Sequence, residues 1–240
     1  MDSDYNKLEE YLKKTGLILP FDKPLGWTSF DLTNKVRVHL KYAHNIRKIK
    51  AGHAGTLDPL ATGLLLICIG KATKRISELQ DLPKTYTGTF RLGASTPSFD
   101  GETEITERMP TDHITHEMIR VSAQKFIGNI MQVPPDFSAI KIGGKRAYEL
   151  ARKEMEVVLK PRPVMIYGFN VISVESQDVH FEIKCSKGTY IRAIARDLGK
   201  MLNTCAYLTA LRRTQIGSYN VNESFSLDNL EDAFIMGNEV

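Results

Sequence analysis

Residues 52–73 read GHAGTLDPLATGLLLICIGKAT, and this stretch decides how the chain is interpreted. Its second half, residues 64–70, is a continuous apolar run bounded by glycines, which is typical of a β-strand buried on both faces. Its first half is rich in glycine and alanine and holds one carboxylate, Asp58, in an Asp-Pro step. Small residues around a turn let a ligand or another backbone approach closely. The stretch therefore predicts a buried strand that follows an open turn carrying Asp58.

Two interpretations of this turn stay open on the residues alone. Asp-Pro is common in ordinary turns, where the carboxylate only accepts a hydrogen bond from nearby backbone. His53 is either an imidazole of the core or turn, which the sequence favours, or a flat ring on which a base stacks. The glycines and alanines on both sides of Asp58, within residues 52–55 and 61–63, favour a functional carboxylate.

Composition and charge are those of an ordinary globular protein. The chain has 240 residues, of which 42% are hydrophobic and 25% charged, and its net charge is +4. This length fits one large domain or two small ones. Residues 35–50 hold six Lys or Arg and no acid, whereas residues 222–240 hold five acids and no base. We expect one basic surface, which is either a solvated helix face or a nucleic-acid contact.

Cysteine usage and hydropathy argue against a disulfide-rich, a secreted and a membrane-spanning protein. Cys68, Cys185 and Cys205 lie among apolar or small residues without a C-x-x-C motif, so they predict buried free thiols rather than a zinc or disulfide site. The first sixteen residues are charged and lack the apolar core of a signal peptide. The longest apolar run is too short to span a bilayer. We expect a cytoplasmic protein.

The periodicity of the remaining chain mixes strands and helices without a strict β-α-β rhythm. A short strand should end at Pro24, and Thr28 should open a helix with Asp31 as its capping acid. The stretch KTYTGTFRLG (residues 84–93) alternates, which places Tyr86 on the apolar face of a strand. These signals predict an α+β or mixed α/β domain built around one large sheet.

Two further stretches of the sequence predict a flap and a helix. Residues 129–146 are irregular and should form a protruding loop. A helix with a strong apolar stripe should follow SKGTY (residues 186–190). On the residues alone, Arg192 in its first turn is interpreted as a surface arginine.

Four separated motifs make the chain recognisable: FDKPLGWTS (21–29), GHAGTLDPLATGLLLICIGKATK (52–74), KTYTGTFRLG (84–93) and CSKGTYIRAIARDLG (185–199). Together they closely resemble the TruB family of bacterial tRNA pseudouridine-55 synthases, from about Leu17 to Leu230. The resemblance implies a pseudouridine synthase catalytic domain over residues 17–230, with a large, mainly antiparallel mixed sheet flanked by helices and loops. Residues 1–16 are then an N-terminal extension and residues 231–240 an acidic tail.

The resemblance also implies the reaction and the residues that perform it. Family members break the N-glycosidic bond of the T-loop uridine, turn the uracil and join its C5 to the sugar. Asp58 matches the nucleophile, which attacks either C6 of the ring or C1′ of the sugar. Arg192 matches the arginine that pairs with this aspartate, and Tyr86 the tyrosine that stacks on the uracil. The substrate-binding residues implied in the same way are His53, Tyr190, Leu211 and Lys23.

The family's partner is tRNA: members bind its T-stem-loop and flip the target base out of the stack. The irregular stretch matching residues 129–156 is an RNA-clamping thumb, for which the chain offers backbone-binding cations at Lys141, Lys145, Arg146 and Arg152. No metal or organic cofactor is implied, and a monomer is expected. Many members carry a PUA domain after the catalytic domain, and we expect none here, with weaker tRNA binding but intact chemistry.

Two other functions use some of the same features. A non-catalytic RNA-binding protein or RNA chaperone needs the lysines and aromatic rings but no buried nucleophile. A glycosidase-like hydrolase also uses a carboxylate but usually requires a second acid, and none appears beside Asp58. The set of Asp58, Tyr86 and Arg192 therefore favours the synthase.

Overall fold

The structure is a computed structural model that describes residues 2–138, 140–151 and 159–235. The chain divides into two compact units. The first is made of the segments up to Lys84 and from Arg212 onward, and the second is Thr85–Leu211.

Helices and strands alternate irregularly along the chain. The helices are α1 (Asp2–Lys14), α2 (Ser29–Ala43), α3 (Ile76–Asp81), α4 (His116–Gln124), α5 (Ala147–Ala151), α6 (Ile191–Met201) and α7 (Asp232–Ile235). The longer strands are β1 (Leu17–Lys23), β3 (Ala61–Ile69), β4 (Lys84–Leu92), β7 (Gly128–Gln132), β10 (Arg162–Glu175), β11 (Asp178–Cys185) and β12 (Ala206–Ile216). The short strands are β2 (Ala51–His53), β5 (Ala94–Ser95), β6 (Glu107–Arg108), β8 (Lys141–Ile142), β9 (Lys145–Arg146) and β13 (Tyr219–Asn220).

Among the described residues, nine strands are hydrogen-bonded in one sheet. Its main path is β1-β3-β12-β4-β11-β10-β7, with β2 paired to β3 and β13 paired to β12. The pairs β1–β3, β2–β3, β7–β10, β10–β11 and β12–β13 are antiparallel. The predicted mixed α/β class with a large, mainly antiparallel sheet is confirmed.

Strand β3 is the centre of the first unit, as its apolar run predicts. It pairs antiparallel with β1, from Leu17 opposite Ile69 to Lys23 opposite Gly63. Leu65, Ile67 and Ile69 pack into one core cluster, and the alternate residues Leu64, Leu66 and Cys68 pack into another. Because both faces are covered, each large side chain contributes about 1.5–3 kcal/mol of burial free energy.

Helix α2 begins as the sequence predicts. Thr28 is its N-cap, and the side chains of Thr28 and Asp31 accept hydrogen bonds from each other's backbone in a capping box. Its apolar stripe, Leu32, Val36 and Leu40, is fully buried against the cluster formed by one face of β3.

The two ends of the described chain also enter the first unit. The N-terminal extension forms helix α1, whose Leu8 and Leu12 are buried in the same cluster. Near the other end, Ala233 and Phe234 of α7 are buried there as well. The predicted acidic tail therefore contributes apolar side chains to the core within its described part, while its residues 236–240 lie outside the described residues.

The second unit has its own core. Phe90 and Leu92 of β4 are buried, and Tyr86 packs against the same cluster, which agrees with the predicted alternation. The predicted stripe of α6 is buried, as Ile191, Ile194, Ala195, Leu198 and Leu202 show. The stretch predicted as an irregular flap begins with a regular element, because Gly128–Gln132 pairs with β10.

Two smaller predictions concern thiols and membranes. The thiols of Cys68, Cys185 and Cys205 are all buried, as predicted. Burial raises the pKa of the Cys68 thiol to about 11. Within the part of the chain that the structure describes, no helix is long and apolar enough to cross a membrane.

Candidate active site

Asp58 lies in the turn that joins β2 to β3, and its side chain is half-buried. The residue before it, Leu57, is buried and held by the hydroxyl of Ser29. The Leu57 amide donates to Ser29 Oγ at 2.8 Å, and Ser29 Oγ donates to the Leu57 carbonyl at 3.2 Å. The Asp58 carbonyl in turn accepts from the Ala61 amide at 3.0 Å. Hydrogen bonds therefore hold the backbone on both sides of Asp58.

Lys23 fixes the residue after Asp58. Its fully buried side chain donates to the carbonyls of Trp27 (2.6 Å), Pro24 (3.0 Å) and Pro59 (3.4 Å). The Gly26 amide donates to the same Pro59 carbonyl at 2.9 Å. An ammonium has three N–H donors, so these three acceptors match its hydrogen-bonding capacity. Lys23 thus joins the loop after β1 to the turn of Asp58.

Burial lowers the pKa of Lys23 from 10.5 to about 8, and the negative charge of Asp58 opposes this shift. Nearby Arg213 lowers the same pKa further. At pH 7 the Lys23 amine is therefore protonated. Its positive charge attracts the carboxylate of Asp58.

Arg213 is a residue that the sequence analysis missed. Its side chain is 1% exposed, and it donates to the Leu64 carbonyl at 2.7 Å and to the Gly55 carbonyl at 3.0 Å. The chain of Gly63 (φ 101°) passes so close that an added Cβ would lie 2.3 Å from the Arg213 carbonyl oxygen. Arg213 thereby clamps the glycine-rich turn to the start of β3. The only sequence signal for it is the basic pair within ALRRTQIG.

His53 ends β2 and is half-buried. Burial, and to a lesser degree Arg213, lowers the pKa of its imidazole, so the ring is neutral at pH 7. Among the described residues, no hydrogen-bond partner reaches its buried Nδ1 atom. A neutral flat ring with an unused polar atom suits stacking against a base, and the predicted substrate contact of His53 stays a prediction.

Arg192 is buried, which corrects its interpretation as a surface arginine. It is 4% exposed in the first turn of α6, and it donates to the carbonyls of Ser98 (3.1 Å) and Phe137 (3.0 Å). Its Nε atom lies 3.4 Å from Oδ2 of Asp100, whose side chain is 7% exposed. The amphipathic pattern of α6 failed here because a guanidinium with carbonyl and carboxylate partners can be buried on the apolar side of a helix.

Asp100 is a second residue that the sequence analysis missed. Its Oδ1 accepts from the Ser98 hydroxyl at 2.6 Å and from the Glu102 amide at 2.9 Å. Its own carbonyl accepts from the Thr96 hydroxyl at 2.6 Å. These bonds hold the loop after β5 in one conformation and direct Oδ2 towards Arg192.

Tyr190 is held at the N-cap of α6 by a third missed residue, Gln132. The Tyr190 amide donates to Gln132 Oε1 at 2.8 Å, and Gln132 Nε2 donates to the Tyr190 carbonyl at 3.2 Å. Gln132 is 2% exposed and Tyr190 is half-buried, so the side chain that makes both hydrogen bonds is shielded from water. Tyr86 and Leu211 are partly buried against the core of the same unit.

The structure thus places the predicted site residues in two groups. Asp58, Lys23 and His53 belong to the first unit, and Tyr86, Tyr190, Arg192 and Leu211 belong to the second. The predicted pairing of Arg192 with Asp58 stays a prediction. Arg192 forms an ion pair with Asp100.

Three of the four predicted RNA-backbone cations belong to a small hairpin. Lys141 is in β8, and Lys145 and Arg146 are in β9, which pairs with it. Arg152 lies outside the described residues. The thumb predicted over residues 129–156 stays a prediction.

Replacing Lys23 by methionine should lower both stability and activity. The change removes the lysine donor from the carbonyls of Trp27 and Pro24, whereas the Pro59 carbonyl keeps the Gly26 amide. Each buried group left unsatisfied costs about 1–3 kcal/mol. We expect a loss of at least about 2 kcal/mol in the free energy of unfolding and a lower kcat, because the turn of Asp58 loosens. Chemical denaturation and activity assays measure both, with Lys71→Met, an exposed lysine, as the control.

The wild type should also show a pH dependence of stability that Lys23→Met lacks. The pKa of Lys23 is lower in the folded chain, about 8, than the ordinary 10.5, so between these values the unfolded chain binds more protons. This group therefore makes the wild type more stable as the pH rises from about 8 to 10.5. Equal slopes in the two proteins would contradict the buried ammonium.

Comparison with protein families identifies two matches. The family described as "TruB family pseudouridylate synthase (N terminal domain)" matches residues 41–191. The "tRNA pseudouridylate synthase B C-terminal domain" matches residues 192–239.

Several curated relatives are similar over almost their whole length, and each is called tRNA pseudouridine synthase B. The protein of Phocaeicola vulgatus is 50% identical over 219 residues, 91% of this chain and 93% of the relative. That of Flavobacterium johnsoniae is 49% identical over 226 residues, 94% of this chain and 98% of the relative. That of Chlorobaculum tepidum is 46% identical over 222 residues, 92% of each.

Among solved structures, a chain from a crystal structure of a Cbf5–Nop10–Gar1 complex matches with a TM-score of 0.70 and 26% identity. The match covers 97% of this chain and 59% of that chain. A chain of an H/ACA RNP bound to a substrate RNA containing 2′-deoxyuridine matches with a TM-score of 0.67 and 25% identity, over 96% and 57% of the two chains.

Proposed function

The chain belongs to the TruB family of pseudouridylate synthases, and we propose that it converts the T-loop uridine of tRNA, position 55, to pseudouridine with Asp58 as nucleophile. One observation carries the assignment of Asp58. Buried polar side chains hold the backbone on both sides of this single carboxylate, Ser29 at Leu57 and Lys23 at Pro59. A nucleophile needs such preorganisation, whereas a turn aspartate does not.

The reaction is an isomerisation, so its atoms balance without a further reactant. The bond between N1 of the uracil and C1′ of the ribose breaks, and a bond between C5 and C1′ forms. C5 loses its proton, and N1 ends with one. Asp58 forms a covalent bond to C6 or to C1′ in between and is released at the end. The uracil that leaves C1′ through N1 is the group that returns through C5, so nothing is lost and no oxidant is needed.

The roles of the second unit's residues are part of this proposal. Tyr86 stacks on the uracil and accepts the C5 proton, Tyr190 packs against the base, and the Leu211 backbone contacts it. Arg192 supplies positive charge for the anionic steps, and its burial next to Asp100 supports a fixed orientation of the guanidinium.

Binding of the RNA must include flipping the target base out of its stack. A T-loop uridine is stacked and must be flipped out, at a cost of a few kcal/mol. Stacking on aromatic rings returns about 1–3 kcal/mol per base, and His53 offers one such ring. The basic residues of β8 and β9 attract phosphates without reading sequence.

We further propose that the protein acts as a monomer in the cytoplasm.

The test is tritium release from an unmodified tRNA transcript labelled at uracil C5, followed by mapping of the modified site. We expect stoichiometric release confined to the T-loop uridine. A transcript with that uridine replaced by cytidine is the matched control. Tight tRNA binding without release would favour the RNA-binding or chaperone function, and release of free uracil would favour a hydrolase.

A further inference from the structure

Two histidines and one glutamate, none of them assigned to the reaction, form a cluster. His39 is in the last part of α2, His44 is the C-cap of that helix, and Glu231 directly precedes α7. All three belong to the first unit. One ligand atom from each residue can be chosen so that the three lie within 4.8 Å of one another.

The carboxylate of Glu231 lies between the two imidazoles. Its Oε2 is 2.8 Å from His39 Nε2, and its Oε1 is 3.5 Å from His44 Nε2. The His39 contact lacks the alignment of a hydrogen bond, although that nitrogen is buried. In tetrahedral coordination with bonds of about 2.0–2.2 Å, ligand atoms lie about 3.3 Å apart. One of the two observed distances is slightly shorter than this separation and the other slightly longer.

Aromatic packing fixes the orientation of both imidazoles. The ring of Phe234 stacks on His39 with centroids 5.5 Å apart and planes 18° from parallel. The same ring lies 5.4 Å from His44. Because Phe234 is 1% exposed, neither imidazole can turn without disturbing the core. The two Nε2 atoms are thus held towards the same carboxylate.

The exposure of the three side chains leaves one side of the cluster open. The histidines are 19% and 13% exposed, whereas Glu231 is 53% exposed. An ion can therefore enter past the carboxylate and keep a water molecule as its fourth ligand. Two imidazoles, one carboxylate and a water form a donor set that suits Zn²⁺ and the neighbouring divalent transition metals.

We propose that His39, His44 and Glu231 form a zinc-binding site that fastens the α7 segment to the end of α2. The ion is structural and takes no part in the isomerisation, for which no ligand of this site is assigned. It links the basic segment of the sequence to the acidic one, the two stretches whose opposite charge stands out in the composition.

The experiment uses the full chain without a histidine tag, stripped with a chelator and titrated with Zn²⁺ in a calorimeter. We expect one ion per chain. At a free Zn²⁺ concentration about a hundredfold above the dissociation constant, the midpoint of thermal unfolding should rise by about 5–10 °C. Replacement of Zn²⁺ by Co²⁺ should give the visible absorption of a tetrahedral ion.

The variants decide whether this site is the one that binds. Glu231→Gln, at an exposed position, should weaken Zn²⁺ binding at least tenfold, and His44→Gln should do the same. His116→Gln removes an exposed histidine at the start of α4 and should bind as the wild type does. Equal affinity in all variants, no binding by the wild type, or an octahedral Co²⁺ spectrum would overturn the proposal and leave an ordinary ion pair.

Discussion

Asp58→Asn should abolish turnover while leaving the fold and tRNA binding intact. The amide keeps the shape of the carboxylate but cannot form the covalent bond, and losing a covalent nucleophile lowers kcat by about 10⁴-fold or more. The fold should persist, because Ser29 and Lys23 hold the backbone at Leu57 and Pro59 and the asparagine keeps the shape of the aspartate. Tritium release gives kcat, and filter binding gives the tRNA affinity.

The matched control is Asp112→Asn, which makes the same chemical change at an exposed turn residue. It should retain full activity. A freshly prepared Asp58→Asn protein that turns over more than about one-hundredth as fast as the wild type would remove Asp58 from the covalent step. Because asparagine can deamidate to aspartate, Asp58→Ala should be measured beside it.

Arg192→Lys should lower kcat by about 10²–10³-fold. The guanidinium of Arg192 reaches two carbonyls and the Asp100 carboxylate at once, and a lysine ammonium is a point charge that cannot reproduce this fork. Loss of one preorganised electrostatic group in an active site commonly costs this much. Single-turnover kinetics with saturating enzyme separate the chemical step from binding.

A double-mutant cycle of Arg192→Met and Asp100→Asn tests the pair itself. Removing one partner of a buried ion pair destabilises a protein by about 3–5 kcal/mol, because a buried charge loses a counter-charge. The double variant should therefore be clearly more stable than the sum of the single changes predicts. Chemical denaturation measures all four proteins.

The second unit offers a matched surface pair as the control. Arg91 and Asp178 are hydrogen-bonded through two nitrogens, yet their side chains are 44% and 27% exposed. The equivalent cycle there should give a coupling of at most about 1 kcal/mol. Equal couplings for the two pairs would mean that the burial of Arg192 contributes nothing.

The sequence predicts those parts of the fold that depend on neighbouring residues. The apolar run of β3, the capping box of Thr28 and the alternation of β4 are local patterns, and the structure confirms all three. The sequence analysis does not predict helix α1, because it interprets the charged residues 1–16 as an N-terminal extension without assigned structure. Leu8 and Leu12 nevertheless recur at helical spacing and are buried.

The supports of the candidate site were missed because they join distant parts of the chain. Arg213 binds a carbonyl 149 residues away, Arg192 one that is 94 residues away, and Gln132 one that is 58 residues away. Periodicity carries no information about such pairs. A buried arginine or glutamine also looks like a surface residue in a sequence, since its burial depends on partners that only folding supplies.

The division of the chain has a consequence for synthesis on the ribosome. The second unit is one continuous segment, Thr85–Leu211, and can fold as soon as it has emerged. The first unit cannot, because the arginine that clamps Gly55 is translated 158 residues after it. A nascent chain thus exposes the turn of Asp58 long before Arg213 can hold it in place. Stalled or truncated products that end before Arg213 should be inactive and easily cleaved between β2 and β3.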